Sequence, residues 1–488
     1  MNRRDYGDAM TNVVSGASHS VTTPGGIVRG VRLESGACEF RGIRFASASR
    51  FSPPNDITSW SEPVEALQYG PICPQLPGTL ESMLGSDLSN VDEDCLSLNI
   101  FTPSSRTGSE KLPVLFWIHG GAYTNGAGSL LWYHGGRLAE HGAIVVTINY
   151  RLGAFGYLGD SNVGTLDQIS ALRWVSRHIE SFGGDPGNVT IFGESAGGSA
   201  VVSLLASPDA TSLFHRAWAM SPSIGQLRTR TRALEVQQQF LEVAGVESVD
   251  DVLTMSVDDI LAAQAKVLAI PSDGYDIFAP AGGGPGLPDD ILGAAAASPV
   301  PLVIGTTRDE NKLFSMLDPS AASKTIEDWT ETLVERFGNR ADVAREVYER
   351  HRPNESPAAL ISAVMTDVGF RRRAQALSEA RTTHDAPTWM YWFTWQTPAF
   401  GGVLGSCHAL DIPFAFDNLS APGADFFTGD GPERGEIARR FAAEIVHLAR
   451  HGHPSWSQFD QVKRDTLVLD AEPRLVSDPE REIRELFS

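Results

Sequence analysis

The segment Asn188-Val189-Thr190-Ile191-Phe192-Gly193-Glu194-Ser195-Ala196-Gly197-Gly198-Ser199-Ala200 decides how this chain is read. Val189 to Phe192 is a short, apolar, β-branched run, the pattern of a buried strand. Gly193-Glu194-Ser195-Ala196-Gly197 follows, and then come small residues suited to a tightly packed helix. A Gly-x-Ser-x-Gly turn between strand and helix puts its serine on a sharp, strained bend that exposes the hydroxyl. The glycines remove side chains that would clash where strand and helix pass close together. The helix also points free N–H groups at whatever forms beside the serine. The bare pattern arises by chance in glycine-rich chains, so this reading needs a base, an orienting acid and oxyanion donors elsewhere in the sequence.

Outward from that turn, Pro113 to Ile118 is apolar throughout and reads as a central strand covered on both faces. It runs into His119-Gly120-Gly121-Ala122-Tyr123. Ala143 to Ile148 is another buried strand, and Leu166 to Phe182 has helical spacing that stops at Gly183-Gly184. Phe214–Met220, Val300–Ile304, Trp389–Trp395 and Thr466–Leu469 read as further strands, and Pro432–Arg450 as a helix. This alternation predicts a large, mostly parallel sheet with crossover helices. Before it, Thr22 to Ala46 predicts antiparallel strands joined by tight turns. Residues 47–93 read as irregular surface structure, residues 271–290 as aperiodic, and residues 231–269 and 325–385 as helical insertions. Residues 1–19 read as a weakly held leader and residues 20–488 as one domain.

With 488 residues, 42% of them hydrophobic, the chain can bury a large core. A net charge of −21 argues against nucleic acid and anionic membrane surfaces as partners. No apolar run has transmembrane length and no signal-peptide pattern follows Met1, so the cytoplasm is the expected location. The four cysteines are too few for a disulfide scaffold. Cys407 reads as a small buried hydrophobe. His451-Gly452-His453 lacks a third ligand, so neither a metal nor a cofactor is expected. What remains is a small-molecule substrate, turned over by a monomer or small homo-oligomer.

A serine hydroxyl is a poor nucleophile at neutral pH, and it needs a base oriented by a carboxylate. Twelve histidines compete for the base. His408 stands out because it follows a glycine-rich loop after the aromatic strand. Asp309 and Glu310 both follow the Val300–Ile304 strand at its carboxyl end, and the residues alone do not separate them. Ala196, just after Ser195, offers one oxyanion N–H. The His119–Ala122 loop offers the others.

Several longer motifs resemble one family closely. Gly193-Glu194-Ser195-Ala196-Gly197-Gly198, Phe182-Gly183-Gly184-Asp185-Pro186, Glu93-Asp94-Cys95-Leu96, Asn149-Tyr150-Arg151-Leu152 and Leu166-Asp167-Gln168 are similar to hallmarks of type-B carboxylesterases. Within that family the chain looks most like the bacterial para-nitrobenzyl esterases. The resemblance runs from about Gly26 to the C-terminus. It implies an α/β-hydrolase fold, with Ser195 as nucleophile, Glu310 as acid and His408 as base. It also implies Gly121 and Ala122 as oxyanion donors beside Ala196, and Ser221 as a serine supporting the triad from behind. Cys73 and Cys95 match a disulfide of secreted relatives, and its redox state here is left open. Asn311-Lys312, Pro222 and residues 281–286 depart from the family pattern, which bears on pocket walls rather than on the triad.

The expected activity is therefore hydrolysis of carboxylic esters through an acyl-enzyme, with carbamate or amide hydrolysis as the alternative. A non-catalytic, cholinesterase-like binding protein is the rival from another class, and retention of Ser195, Glu310 and His408 speaks against it. Tyr123, Trp132, Leu313, Phe314, Met316 and Val403 are apolar and near the motifs. They are the expected pocket walls and favour aryl or medium-chain acyl esters. An ordinary imidazole predicts activity that rises through about pH 6 to 7.

Overall fold

The structure, a computed structural model, describes residues 16–78, 89–104, 110–270 and 276–488. Three antiparallel strands enter first: β1 (Ala17–Thr23), β2 (Gly26–Arg32) and β3 (Cys38–Arg44). The two-residue strands β4 (Ala46–Ser47) and β5 (Asn55–Asp56) pair with each other, and β6 (Val64–Glu65) pairs with β2. The main sheet continues with β7 (Ser97–Thr102), β8 (Leu112–Ile118), β9 (Ile144–Ile148), β10 (Gly184–Glu194) and β11 (Arg216–Met220). It ends with β12 (Leu302–Thr307), β13 (Thr388–Phe393), β14 (Asp465–Leu469) and β15 (Arg474–Ser477).

The strand order is β1-β2-β3-β7-β9-β8-β10-β11-β12-β13-β14-β15. From β9 to β14 every neighbouring pair is parallel, and the antiparallel pairs lie toward the two ends. The apolar run Pro113–Ile118 explains this placement. All six residues are buried, because β8 lies inside the sheet and alternate side chains enter opposite layers. Val114, Phe116 and Ile118 pack in one core with the helices Val163–His178 and Ala196–Ala206. Leu115 and Trp117 pack in the other, with the helix Arg434–His451. A third, smaller core gathers Trp329, Leu333, Tyr348 and Leu360 with Ile483 and Leu486 of the C-terminal helix Arg481–Leu486.

One boundary differs from the sequence reading. Ala17, Ser18 and His19 belong to β1, not to a leader, because they pair in register with Arg32, Val31 and Gly30. Residues 1–15 of that leader, residues 79–88 of the irregular stretch and residues 271–275 of the aperiodic one lie outside the described residues. The helical insertion at 325–385 contains one π-helical turn, Asp367–Arg371, between the helices Pro357–Thr366 and Arg372–Thr382. No described helix is long and apolar enough to cross a membrane.

Candidate active site

Ser195 sits at the junction of β10 and the helix Ala196–Ala206, with φ 58° and ψ −119°. A side chain resists that region, at a cost of about 1–3 kcal/mol, so the surroundings must impose it. They do so through the backbone. The Ser195 N–H donates to the Met220 carbonyl at 3.0 Å, and its own carbonyl accepts from the Ser199 N–H at 2.9 Å. The glycines are obligatory. A Cβ on Gly197 would lie 2.0 Å from the Ile118 oxygen, and one on Gly193 would lie 2.6 Å from it.

The loop after β8 crosses directly over this turn. A Cβ on Gly120 would come within 2.7 Å of the Glu194 carbonyl oxygen and 3.1 Å of the Ser195 Cβ. Gly121, Ala122 and Tyr123 follow with φ of 105°, 52° and 59°. The Gly121 carbonyl accepts from the N–H groups of Thr124 and Asn125 at 2.9 and 3.0 Å, which closes the bend. The N–H groups of Gly121, Ala122 and Ala196 donate no hydrogen bond to an acceptor among the described residues. Ala196 is buried, while Gly121 is half-buried and Ala122 exposed at the mouth of the site, and N–H donors left free in this way suit an anionic oxygen.

Glu310 follows β12 and is fully buried. Its Oε1 accepts from the Thr307 N–H at 2.8 Å and its Oε2 lies 2.6 Å from His408 Nδ1. Asp309 does different work. Its carboxylate accepts from the Ser406 N–H at 3.0 Å and its own N–H donates to the Ser406 carbonyl at 2.8 Å, so it latches the loop that carries His408. The structure thus separates two acids that the residues alone left equivalent. Ser221 ends beside the same turn, buried, with φ 41° and its N–H donating to Gly305 at 2.8 Å.

The opposite edge of the imidazole meets an unexpected partner. His408 Nε2 lies 3.2 Å from Oε1 of Glu194, the residue before the serine. Asp411 is also buried close by and accepts from the Tyr391 hydroxyl at 3.1 Å. Burial disfavours the His408 cation, but Glu194 and Glu310 outweigh it and push the group up to about 9. Burial raises the Glu194 carboxyl to about 8, against the pull of His408. His408 therefore holds its proton above the pH 6 to 7 range of an ordinary imidazole, because two carboxylates face the two ring nitrogens. Sequence reasoning missed Glu194, although an acid ending the apolar run Val189–Phe192 was a visible signal.

The six expected pocket residues are spread out. Tyr123 is fully buried against Tyr157, and Trp132 stacks on Phe427. Leu313 is buried, Met316 is half-buried, and Val403 is 68% exposed, so it stands at the surface. Phe314 lies with its ring 5.2 Å from the His408 ring. A second ring, Phe370, lies 4.9 Å from the same imidazole and stacks on Phe314 at 6.2 Å. No local pattern marked Phe370, because its place depends on the π turn. Cys73 and Cys95 are not bonded to each other in the structure. Both are buried and next to one another, and Cys73 Sγ accepts from the Leu152 N–H at 3.3 Å.

This sheet, with a strained serine at the carboxyl end of β10 and an acid and a histidine after β12 and β13, is the α/β-hydrolase fold. Residues 17–482 match the model of the carboxylesterase family. Para-nitrobenzyl esterase of Bacillus subtilis is 37% identical, over 95% of this chain and 97% of the relative. A probable N-octanoylanthranilate hydrolase of Rhodococcus erythropolis is 33% identical, over 90% of this chain and 94% of the relative. The crystal structure of a Geobacillus stearothermophilus carboxylesterase superposes with a TM-score of 0.84 at 32% identity, over 96% of this chain and 100% of that one. The chain belongs to the carboxylesterase family and is a carboxylic ester hydrolase.

Proposed function

We propose that the chain cleaves esters through an acyl-enzyme on Ser195. The observation that carries this reading is the strained Ser195 turn, whose Glu194 lies 3.2 Å from one nitrogen of the His408 ring while Glu310 holds the other at 2.6 Å. Neutral His408 takes the serine proton as the hydroxyl attacks the ester carbonyl, and Glu310 stabilises the imidazolium that forms. The carbonyl oxygen becomes an oxyanion and accepts from the N–H groups of Gly121, Ala122 and Ala196. Each such donor contributes about 3 kcal/mol in comparable sites. His408 returns the proton to the departing alcohol. Water then attacks the acyl-enzyme, with His408 as base, and releases the acid and Ser195.

The rings of Phe314 and Phe370 beside His408, where the departing alcohol takes its proton, support esters with an aryl alcohol portion as substrates. N-acyl amides are a second reading, favoured by the relative named for N-octanoylanthranilate hydrolysis. The test is turnover of matched para-nitrophenyl esters and anilides, together with fluorophosphonate labelling. Ester turnover and labelling should both vanish in Ser195→Ala. Full turnover in that variant overturns the assignment, and faster anilide than ester turnover selects the second reading.

A further inference from the structure

Phe370 owes its position to the π turn Asp367–Arg371. A π turn adds a residue to one helical winding and rotates the helix beyond it, and such turns recur at functional sites. This one is pinned from outside. The Arg371 guanidinium donates from Nη1 to Glu480 Oε2 at 2.5 Å and from Nη2 to the Pro479 carbonyl at 2.7 Å. It also lies 4.0 Å over the Trp392 ring of β13. Arg352 holds the same Glu480 carboxylate, through Oε1 and through Oε2 at 3.2 Å. Asp367, at the other end of the turn, accepts from the Tyr348 hydroxyl at 2.8 Å.

Glu480 itself has a left-handed backbone, φ 54° and ψ 45°, and its side chain is 12% exposed. Against the upward push of burial, Arg371 and Arg352 pull its carboxyl down to about 2, so it is an anion at any working pH. A buried anion shared by two arginines is a fixed point rather than a surface contact. The neighbour of Arg371 in sequence is Phe370, whose ring lies 4.9 Å from the His408 imidazole.

We propose that Glu480 is a positioning residue for substrate selection: through Arg371 it sets Phe370 against the catalytic imidazole and so shapes the place of the leaving alcohol. The proposal rests on the acyl-enzyme reading of Ser195. In that reading the departing alcohol receives its proton from His408, so it must lie beside the imidazole. Rings flanking the imidazole therefore meet the alcohol portion of the ester. Phe370 and Phe314 are half-buried, which leaves ring surface open for that contact. A shift of the π turn moves one wall of this place while the serine turn, the oxyanion loop and Glu310 stay put. Its effect falls on which alcohols fit, not on the attack itself.

The test compares kcat and KM for phenyl acetate and ethyl acetate, which share an acyl group and differ in the alcohol. In Glu480→Gln the preference for phenyl acetate should fall about fivefold, mostly through KM, as expected when one wall of an apolar pocket shifts. Ethyl acetate turnover should change by less than about twofold in the same variant. In Phe370→Ala the preference should already be reduced, and adding Glu480→Gln should change it no further. If Glu480→Gln does not fold, Arg371→Lys keeps the charge, loses the second donor to Pro479, and is read in the same way. An equal loss on both esters overturns the proposal, and so does an unchanged effect of Glu480→Gln in the Phe370→Ala background. Fluorophosphonate labelling of Ser195 separates the two levels: a parent chain that neither labels nor turns over either acetate defeats the acyl-enzyme reading instead.

Discussion

The Ser195 turn and the His408 loop meet at Glu194, yet backbone packing holds the first and buried charge holds the second. Around Ser195, Gly193, Gly197 and Gly120 let three backbone segments touch, and none leaves room for a Cβ. Around His408, the fixed points are carboxylates: Glu310 and Glu194 on the ring, and Asp309 on the Ser406 backbone. Close packing gives one allowed geometry, whatever the solvent. Charge gives a geometry and a proton affinity together, so this half answers to pH and to single substitutions in graded fashion.

The largest break in this comparison is Ser195→Ala. It should lower kcat on a para-nitrophenyl ester by on the order of 10⁴-fold or more, while leaving the fold intact by circular dichroism. Next comes Gly197→Ala, whose added methyl would meet the Ile118 oxygen at 2.0 Å. A loss of about 3 kcal/mol or more is expected in urea unfolding. A variant as stable as the parent would show that the turn is not held by packing.

The third probe is Glu194→Gln, which removes one carboxylate from the imidazole. The cation of His408 cannot accept the serine proton, so kcat/KM should rise with pH as His408 deprotonates. In the parent that limb should lie above the ordinary imidazole range, because Glu194 and Glu310 outweigh burial. In Glu194→Gln it should move down by about one pH unit. A limb that stays where it was would mean Glu194 does not face the reacting imidazole in solution. The smallest effect belongs to Lys312→Met. Lys312 lies 3.1 Å from Glu355 and 3.8 Å from Asp309, at the rim of the charged half. Its loss should cost no more than about 1 kcal/mol, read as a small drop in Tm.

The same contrast explains what could be read from the sequence. The serine turn is local: strand, bend and helix follow one another within Asn188–Ala200, so the residues alone place it. The central strands were equally legible, since an apolar run such as Pro113–Ile118 can only be covered on both sides. The charged half joins distant segments. Nothing in the local pattern of Asp309-Glu310 says which acid reaches a histidine 98 residues away. The resemblance supplied an answer there, and the geometry supplies the reason. Phe370 was illegible because a π turn leaves no periodic signature within a helical stretch. The apolar residues expected as walls, Tyr123 and Trp132, are held in the core, where apolar character is equally required.

The strand order also has a consequence for how the molecule comes into being. Synthesis delivers β8 and the Ser195 turn early, and they can settle against their own helix. Glu310 must then wait 98 residues for its histidine, and Arg352 must wait 128 residues for Glu480. Such long-range pairings form slowly, since each closes a large loop before it gains anything. A nascent chain therefore carries a finished Ser195 turn long before Glu310 and His408 can meet, and the proposed site is assembled only when nearly all of the sheet is in place.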